Sequence, residues 1–399
     1  LGNTHLDLSE VLLEKDKDED FHRHISLALD NFRLSLKASE NLIQEMSNMS
    51  NIRGEEKEQI LLNFKRLCNE ALYNIGNAYF VWGKYEAKHF NDSLEFLKKA
   101  ASYAKNLNNP ILEGKCYSSI GLIFFNKKEY DQAEIYFKKD AKICEENKDY
   151  QGWTLTLRNI ARLFHAKREY GNAQTFYDKA VDICKKYLDS DDIDEIHEEI
   201  KEMQKEKKIK QEVDEKIKKF EQLEKKKEYN KDYFTMGKSI IEILCDTLED
   251  HARALNLAKT FIANIKRMTA GVTLTPGMRY LTTKILSYLG VIHQNLKRFD
   301  ESKKYFKEAM KVLEDNDPNY LKTADYLALI IDLANVMDDA SDNVAEIEKM
   351  YWKAYEYGEK ANLPHILKAC LNNLEFIYRR EKNKKMLQKV KETKRRLFA

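Results

Sequence analysis

Glycine and proline are scarce in this chain: 13 and 4 of 399 residues. Sheet-rich folds use both in their many turns, so the shortage argues against β architecture and for long helices with short connections. No run of 18 or more apolar residues occurs, so no segment is a candidate membrane-crossing helix. Neither sign of charge prevails: 68 basic and 66 acidic residues leave a net +2, which disfavours a general nucleic-acid binder. The six cysteines (Cys68, Cys116, Cys144, Cys184, Cys245 and Cys370) form no C-x-x-C pair, and none has a histidine at ligand spacing. They read as reduced, small, buried residues of an intracellular protein. Phosphate-cradling glycine loops are absent, and HEE at 197–199 has no second histidine at H-E-x-x-H spacing. The composition and motifs therefore predict no catalytic residue, no cofactor and no metal site, and a protein that is not an enzyme.

What the chain does contain is helix-forming chemistry. It is 43% hydrophobic and 34% charged, with Lys, Glu, Leu and Ala abundant. It also repeats. KCYSSIGLIFFNKKEYDQAEIYFKKDAKICEE (115–146) and LTLRNIARLFHAKREYGNAQTFYDKAVDICKK (155–186) superpose without gaps at an offset of 40. Gly121 aligns with Ala161, Phe124 with Phe164, Ala133 with Ala173, Phe137 with Tyr177 and Cys144 with Cys184. Each copy reads as helix A, a short polar turn and helix B. Small residues at Gly121 and Ala133 let the two backbones approach, and Phe124 and Phe137 are expected to fill the layer between successive copies. One hairpin cannot bury both faces, so copies must stack. The spacing resembles the tetratricopeptide repeat, and predicts an all-α, tetratricopeptide-like α-solenoid of antiparallel helix pairs forming a curved superhelix.

The pattern extends in both directions. ALYNIGNAYF (71–80) is another helix A, whose helix B starts five residues late, after YEAKHFND. Segments 284–314, 326–361 and 365–398 are further copies, and 238–268 is a degenerate one whose small residue is expected near 242. Leu1-Gly2 and His5 match Leu289-Gly290 and His293, with helix B at 25–43, so the chain is expected to be a piece of a longer array. Residues 189–232 are mostly charged, yet Ile193, Ile196, Ile200 and Met203 keep helical spacing, as do Ile209, Val213, Ile217, Phe220 and Leu223. They read as one or two long amphipathic helices replacing one repeat. The expected organisation is repeats over 1–188, an irregular charged segment over 189–232 and repeats over 233–399.

Helix A residues line the inner groove of such a stack, where peptides dock. Counting from the small residues gives Tyr73, Asn77 and Phe80, then Lys115, Ser118, Leu122 and Phe125, then Arg158, Arg162 and His165. Aromatic surface beside Lys115, Arg158 and Arg162 suits other proteins as partners, acidic or helical segments in particular. Reversing the charges of Arg158 and Arg162 is expected to leave melting nearly unchanged. The ten cations between Arg379 and Arg396 read as a solvated end, or as an import signal.

The order of several segments resembles the Tonsoku-like family. These are LGNTHLDL with its charged insert and ALDNFRLSLKASE, LYNIGNAYF, IARLFHAKREYGNAQTFYDKA, the irregular charged stretch, ILSYLGVIHQNLKRFDESKKYFKEA and ANLPHILKACLNNL. The resemblance covers nearly the whole chain. It implies the N-terminal repeat region of a nuclear scaffold in replication-coupled repair by homologous recombination, with a recombination-complex partner and histone or replication factors. The ankyrin domain of that family, which reads histone tails, has no counterpart here, so no histone-reading residue carries over. The competing reading is a cytoplasmic adaptor of the Leu-Gly-Asn or kinesin-light-chain type, which the irregular 189–232 stretch and the long inserts disfavour.

Overall fold

A computed structural model describes residues 2–14, 18–49, 54–188 and 192–398. Leu1 and residues 189–191, on which part of the repeat and boundary reading rests, lie outside the described residues. Among those described there are seventeen α-helices and no strand. They are α1 (Gly2–Glu14), α2 (Asp18–Asn48), α3 (Glu55–Tyr85), α4 (Phe90–Asn106), α5 (Pro110–Asn126), α6 (Tyr130–Glu146), α7 (Tyr150–Ala166), α8 (Tyr170–Tyr187), α9 (Asp192–Lys225), α10 (Lys231–Glu242), α11 (His251–Met268), α12 (Pro276–Asn295), α13 (Phe299–Asn316), α14 (Ala324–Asp339), α15 (Val344–Lys360), α16 (Pro364–Arg380) and α17 (Lys384–Phe398). The fold is an all-α solenoid of tetratricopeptide-like helix pairs.

The chain forms two units, Leu1–Lys207 and Lys208–Ala399. The division falls inside α9, whereas the sequence pattern sets 189–232 apart as one piece. The first half of α9 buries Ile196 and Met203 in the core of the first unit; the second half buries Val213 and Phe220 in that of the second. The charged stretch is thus a single helix of 34 residues whose apolar stripe serves two cores.

Within a pair, one small residue on helix A faces one large residue on helix B. A Cβ on Gly121 would lie 2.5 Å from the Phe137 ring, on Gly290 2.7 Å from Phe306, and on Gly2 2.5 Å from Phe32. Phe137 therefore seats on Gly121 of its own hairpin, within a core that also holds Leu157, Ile160 and Ala161 of the next. In the degenerate copy the small residue is Gly237, against Phe220 and Phe261, and not a residue near 242. Two periods of about 40 counted from Ala161 overshoot it, because Gly237 lies only 76 residues after Ala161, across the irregular α9. Buried serines tie two of the crossings: Ser93 donates to the Gly76 carbonyl at 2.6 Å and Ser302 to the Gly290 carbonyl at 2.7 Å.

The connections explain how so little glycine suffices. Between α5 and α6, Lys128 N–H donates to Phe125 O and Glu129 N–H to Phe124 O, each at 2.9 Å, closing the helix end with Lys128 at φ 60°. Asn108, Lys148, Arg168, Lys297, Ser341, Asn362 and Lys382 repeat this left-handed geometry at other turns. Helix starts are capped by side chains, as where Asp149 accepts from Gly152 N–H at 2.9 Å.

Candidate functional site

The first unit places helices α3, α5 and α7 so that their inner faces line a single cavity of about 1040 Å³. Tyr73, Phe80, Lys115, Ser118, Phe125, Arg158 and Arg162 all border it, as does Leu122. Seven of the nine positions chosen from the repeat register for partner binding therefore converge. Asn77 stands behind the wall, accepting from Ser119 Oγ at 3.0 Å. His165 is outside the cavity and bonds Glu206 at 2.7 Å. Ile111 and Leu155 also border the cavity and are exposed, at 38% and 49%. They were missed because they lie near the starts of α5 and α7, away from the small residues used for counting.

The cations differ from the sequence expectation. Arg158 is only 7% exposed. Its Nη2 donates to Glu199 Oε1 at 2.6 Å and to Glu195 Oε2 at 2.9 Å. Arg162 holds the same Glu199 through Nε at 3.0 Å and Nη2 at 2.5 Å. Burial alone would raise the Glu199 pKa, but the two guanidinium groups outweigh it and hold the carboxyl below the usual range. The acids that meet Arg158, Arg162 and His165 come from the first half of α9. An acidic segment expected of a partner is thus supplied by the chain itself, because α9 lies beside α7 as the next inner helix. Because both arginines are paired with α9 carboxylates, reversing their charges is now expected to lower the melting temperature of the first unit. Lys115 remains exposed on the rim, with no ion pair among the described residues.

The cavity floor reaches α6. Asp140, 3% exposed, lines it together with Phe137 and Cys144. Its carboxyl bonds Thr156 Oγ1 and takes a long contact from Cys144 Sγ at 3.4 Å. Thr156 Oγ1 also donates to Gly152 O at 2.9 Å. A hydroxyl has one proton, so Thr156 shares it between the Asp140 carboxylate and the Gly152 carbonyl. Burial raises the Asp140 pKa to about 6, against the opposing hydrogen bonds from Thr156, Cys144 and Ser118. All six cysteines are buried and unpaired. Among the described residues no cluster of three or more metal-ligating side chains occurs, and no helix is long and apolar enough to cross a membrane.

Two segments match the tetratricopeptide-repeat family. They are residues 114–147, the α5–α6 pair, and 282–315, the core of α12–α13. No curated protein matches the chain in sequence. Among solved structures, the chain is similar to NprR in complex with its cognate peptide NprX. Identity is 14%, coverage 98% of this chain and 88% of that one, and the TM-score 0.32. It is also similar to a Rap protein complexed with competence and sporulation factor, at 14% identity, 94% and 87% coverage and a TM-score of 0.33. The TPR2AB domain of yeast Sti1 in its pHSP90 complex gives 15% identity, 81% and 98% coverage and a TM-score of 0.30. Nothing about a ligand follows from scores this low.

Proposed function

We propose that this protein is an interaction scaffold whose first unit holds a peptide segment of a partner protein in the cavity between α3, α5 and α7. The observation that carries the reading is the cavity itself. It is large enough for several side chains, and it is bordered by exposed Ile111 and Leu155 beside the half-buried rings of Tyr73 and Phe125. Apolar side chains left exposed around a concavity are the ordinary signature of a partner site. Random dodecapeptides displayed on phage and panned against the whole chain test it. Peptides whose capture is lost with Ile111→Glu plus Leu155→Glu support the reading. Both residues are exposed in the free protein, so the substitutions leave folding intact. Failure to recover any such peptide rejects it.

The family resemblance refines the proposal to a nuclear scaffold of replication-coupled repair by homologous recombination, bound to recombination, replication or histone factors. Purification from nuclear extract with the native chain and the double variant in parallel discriminates. Recombination or replication factors lost with the variant support this refinement. Microtubule motors or polarity proteins lost in their place support the cytoplasmic adaptor.

A further inference from the structure

Asp140 stands where four other repeats keep alanine; after Phe32 and Phe261 the same position holds the neutral Ser35 and Asn264. The position lies three residues after the large helix B residue that seats on helix A. It is Ala100 after Leu97, Ala180 after Tyr177, Ala309 after Phe306 and Ala354 after Tyr351. All four alanines have no exposed surface. In those four repeats the packing takes a methyl group, and in none of the six is the position ionisable. The facing residue on α5 is Gly114, where a Cβ would fall 2.7 Å from Asp140 Oδ1. At the matching place on helix A, seven residues before the small residue, the chain has Asn69, Thr154 and Thr283. The hairpin that lines the cavity has therefore moved its polar group from helix A to helix B, cleared the space opposite, and made that group ionisable. A threonine or asparagine would satisfy the same hydrogen bonds without the cost of burying a carboxyl.

The surroundings of Asp140 contain no countercharge. Cys116 and Ser118 of α5, Cys144 of α6, Asp149 capping α7 and Thr156 of α7 surround it. Among the described residues none of its ion-pair contacts is to a lysine, arginine or histidine. Of the cations that border the cavity, Arg158 and Arg162 are committed to Glu195 and Glu199, Lys84 pairs with Glu10, and Lys115 is exposed on the rim without an ion pair to Asp140. A buried carboxyl with no cation of its own, open to a cavity, is complementary to a cation from outside.

We infer that Asp140 is the receptor for one lysine or arginine side chain of the partner peptide, inserted between α5 and α7 from the cavity. The inference rests on the reading of that cavity as a peptide site. The incoming cation pairs with the ionised carboxylate, so below about pH 6 binding releases a proton, and it strengthens as pH rises towards about 6 and levels off above.

The peptides recovered by panning provide the probe. They are expected to share one basic position. Replacing it with norleucine should weaken binding to the native chain roughly tenfold, about 1.4 kcal/mol. The same replacement should change nothing for Asp140→Asn, with folding of the variant checked by circular dichroism. On the native chain alone, the basic peptide should bind more tightly at pH 7.5 than at pH 5, and the norleucine peptide equally at both. Cavity-dependent peptides without a basic position, or an equal norleucine penalty in Asp140→Asn, would overturn the inference while leaving the peptide site standing. Absence of any cavity-dependent peptide removes both.

Discussion

Arg158 and Glu199 face each other at 2.6 Å across α7 and α9, and Arg158 is almost wholly buried there. Removing one partner of such a pair strands the other charge away from water. Arg158→Met should destabilise the first unit by about 3 kcal/mol. Arg162→Ala, at a half-exposed guanidinium, should cost under about 1 kcal/mol. Urea unfolding followed by fluorescence of Trp153, which lies on α7, reads both. Equal effects would show that burial does not set the strength of this network.

Helix crossings give the second prediction. Gly121→Leu drives a side chain into the Phe137 ring, and overpacking of this kind typically costs about 1–3 kcal/mol. Gly171, in the first turn of α8, has open space where a Cβ would stand, so Gly171→Ala should stabilise by up to about 1 kcal/mol. Thermal melts of the two variants should shift in opposite directions.

The turns give the third. Lys128 and Arg168 sit at φ 60° and 61°, a conformation that costs a side-chain-bearing residue about 1–2 kcal/mol and glycine little. Lys128→Gly should therefore raise the melting temperature, part of the gain being offset by the greater freedom of glycine in the unfolded chain. A lowered melting temperature would mean that the lysine side chain contributes more than its backbone costs.

Asp140 makes stability depend on pH. Its folded pKa, about 6, lies above the ordinary 3.8, so the folded chain retains a proton that the unfolded chain has lost. The proton's contribution is complete below about pH 4 and disappears as pH climbs to 6, at roughly 1.4 kcal/mol per pKa unit. Asp140→Asn should be more stable than the native chain at pH 7.5, by about 2–3 kcal/mol, and equal to it near pH 3.5. Asp332 in the second unit shifts the same way through burial, opposed by Lys284, so Asp332→Asn should repeat the sign. Melts across pH 3.5–7.5 check both.

The repeat register was readable from the chain because it is carried by residue size. Gly121 against Phe137 and Gly290 against Phe306 are both 16 residues apart in sequence, and both meet in space. The inner-face positions followed from the same count, which is why seven of the nine fall on one cavity. Pairing between helices was not readable. Glu195, Glu199 and Glu206 lie in a stretch whose helical stripe is clear but whose placement beside α7 depends on the connection before it. Gly237 was missed because α9 and its connections do not keep the 40-residue period on which the count from Ala161 relied. Asp140 was visible in principle: the gapless superposition of 115–146 on 155–186 sets it against Ala180. A charge at a methyl position is a stronger signal than the cations Lys115, Arg158 and Arg162 that drew notice first.

The cysteines of this molecule, none of them in a disulfide, sit one each in α3, α5, α6, α8, the π-turn after α10 (Ile243–Thr247), and α16. Burial raises the Cys116 thiol to about 12, and Cys144, Cys245 and Cys370 shift the same way. Such thiols react with alkylating reagents only when their own hairpin breathes open. Timed alkylation followed by mass spectrometry would thus rank the hairpins by ease of opening, with no label introduced. Slower modification of Cys116 and Cys144 on adding a peptide would show where that peptide clamps the stack.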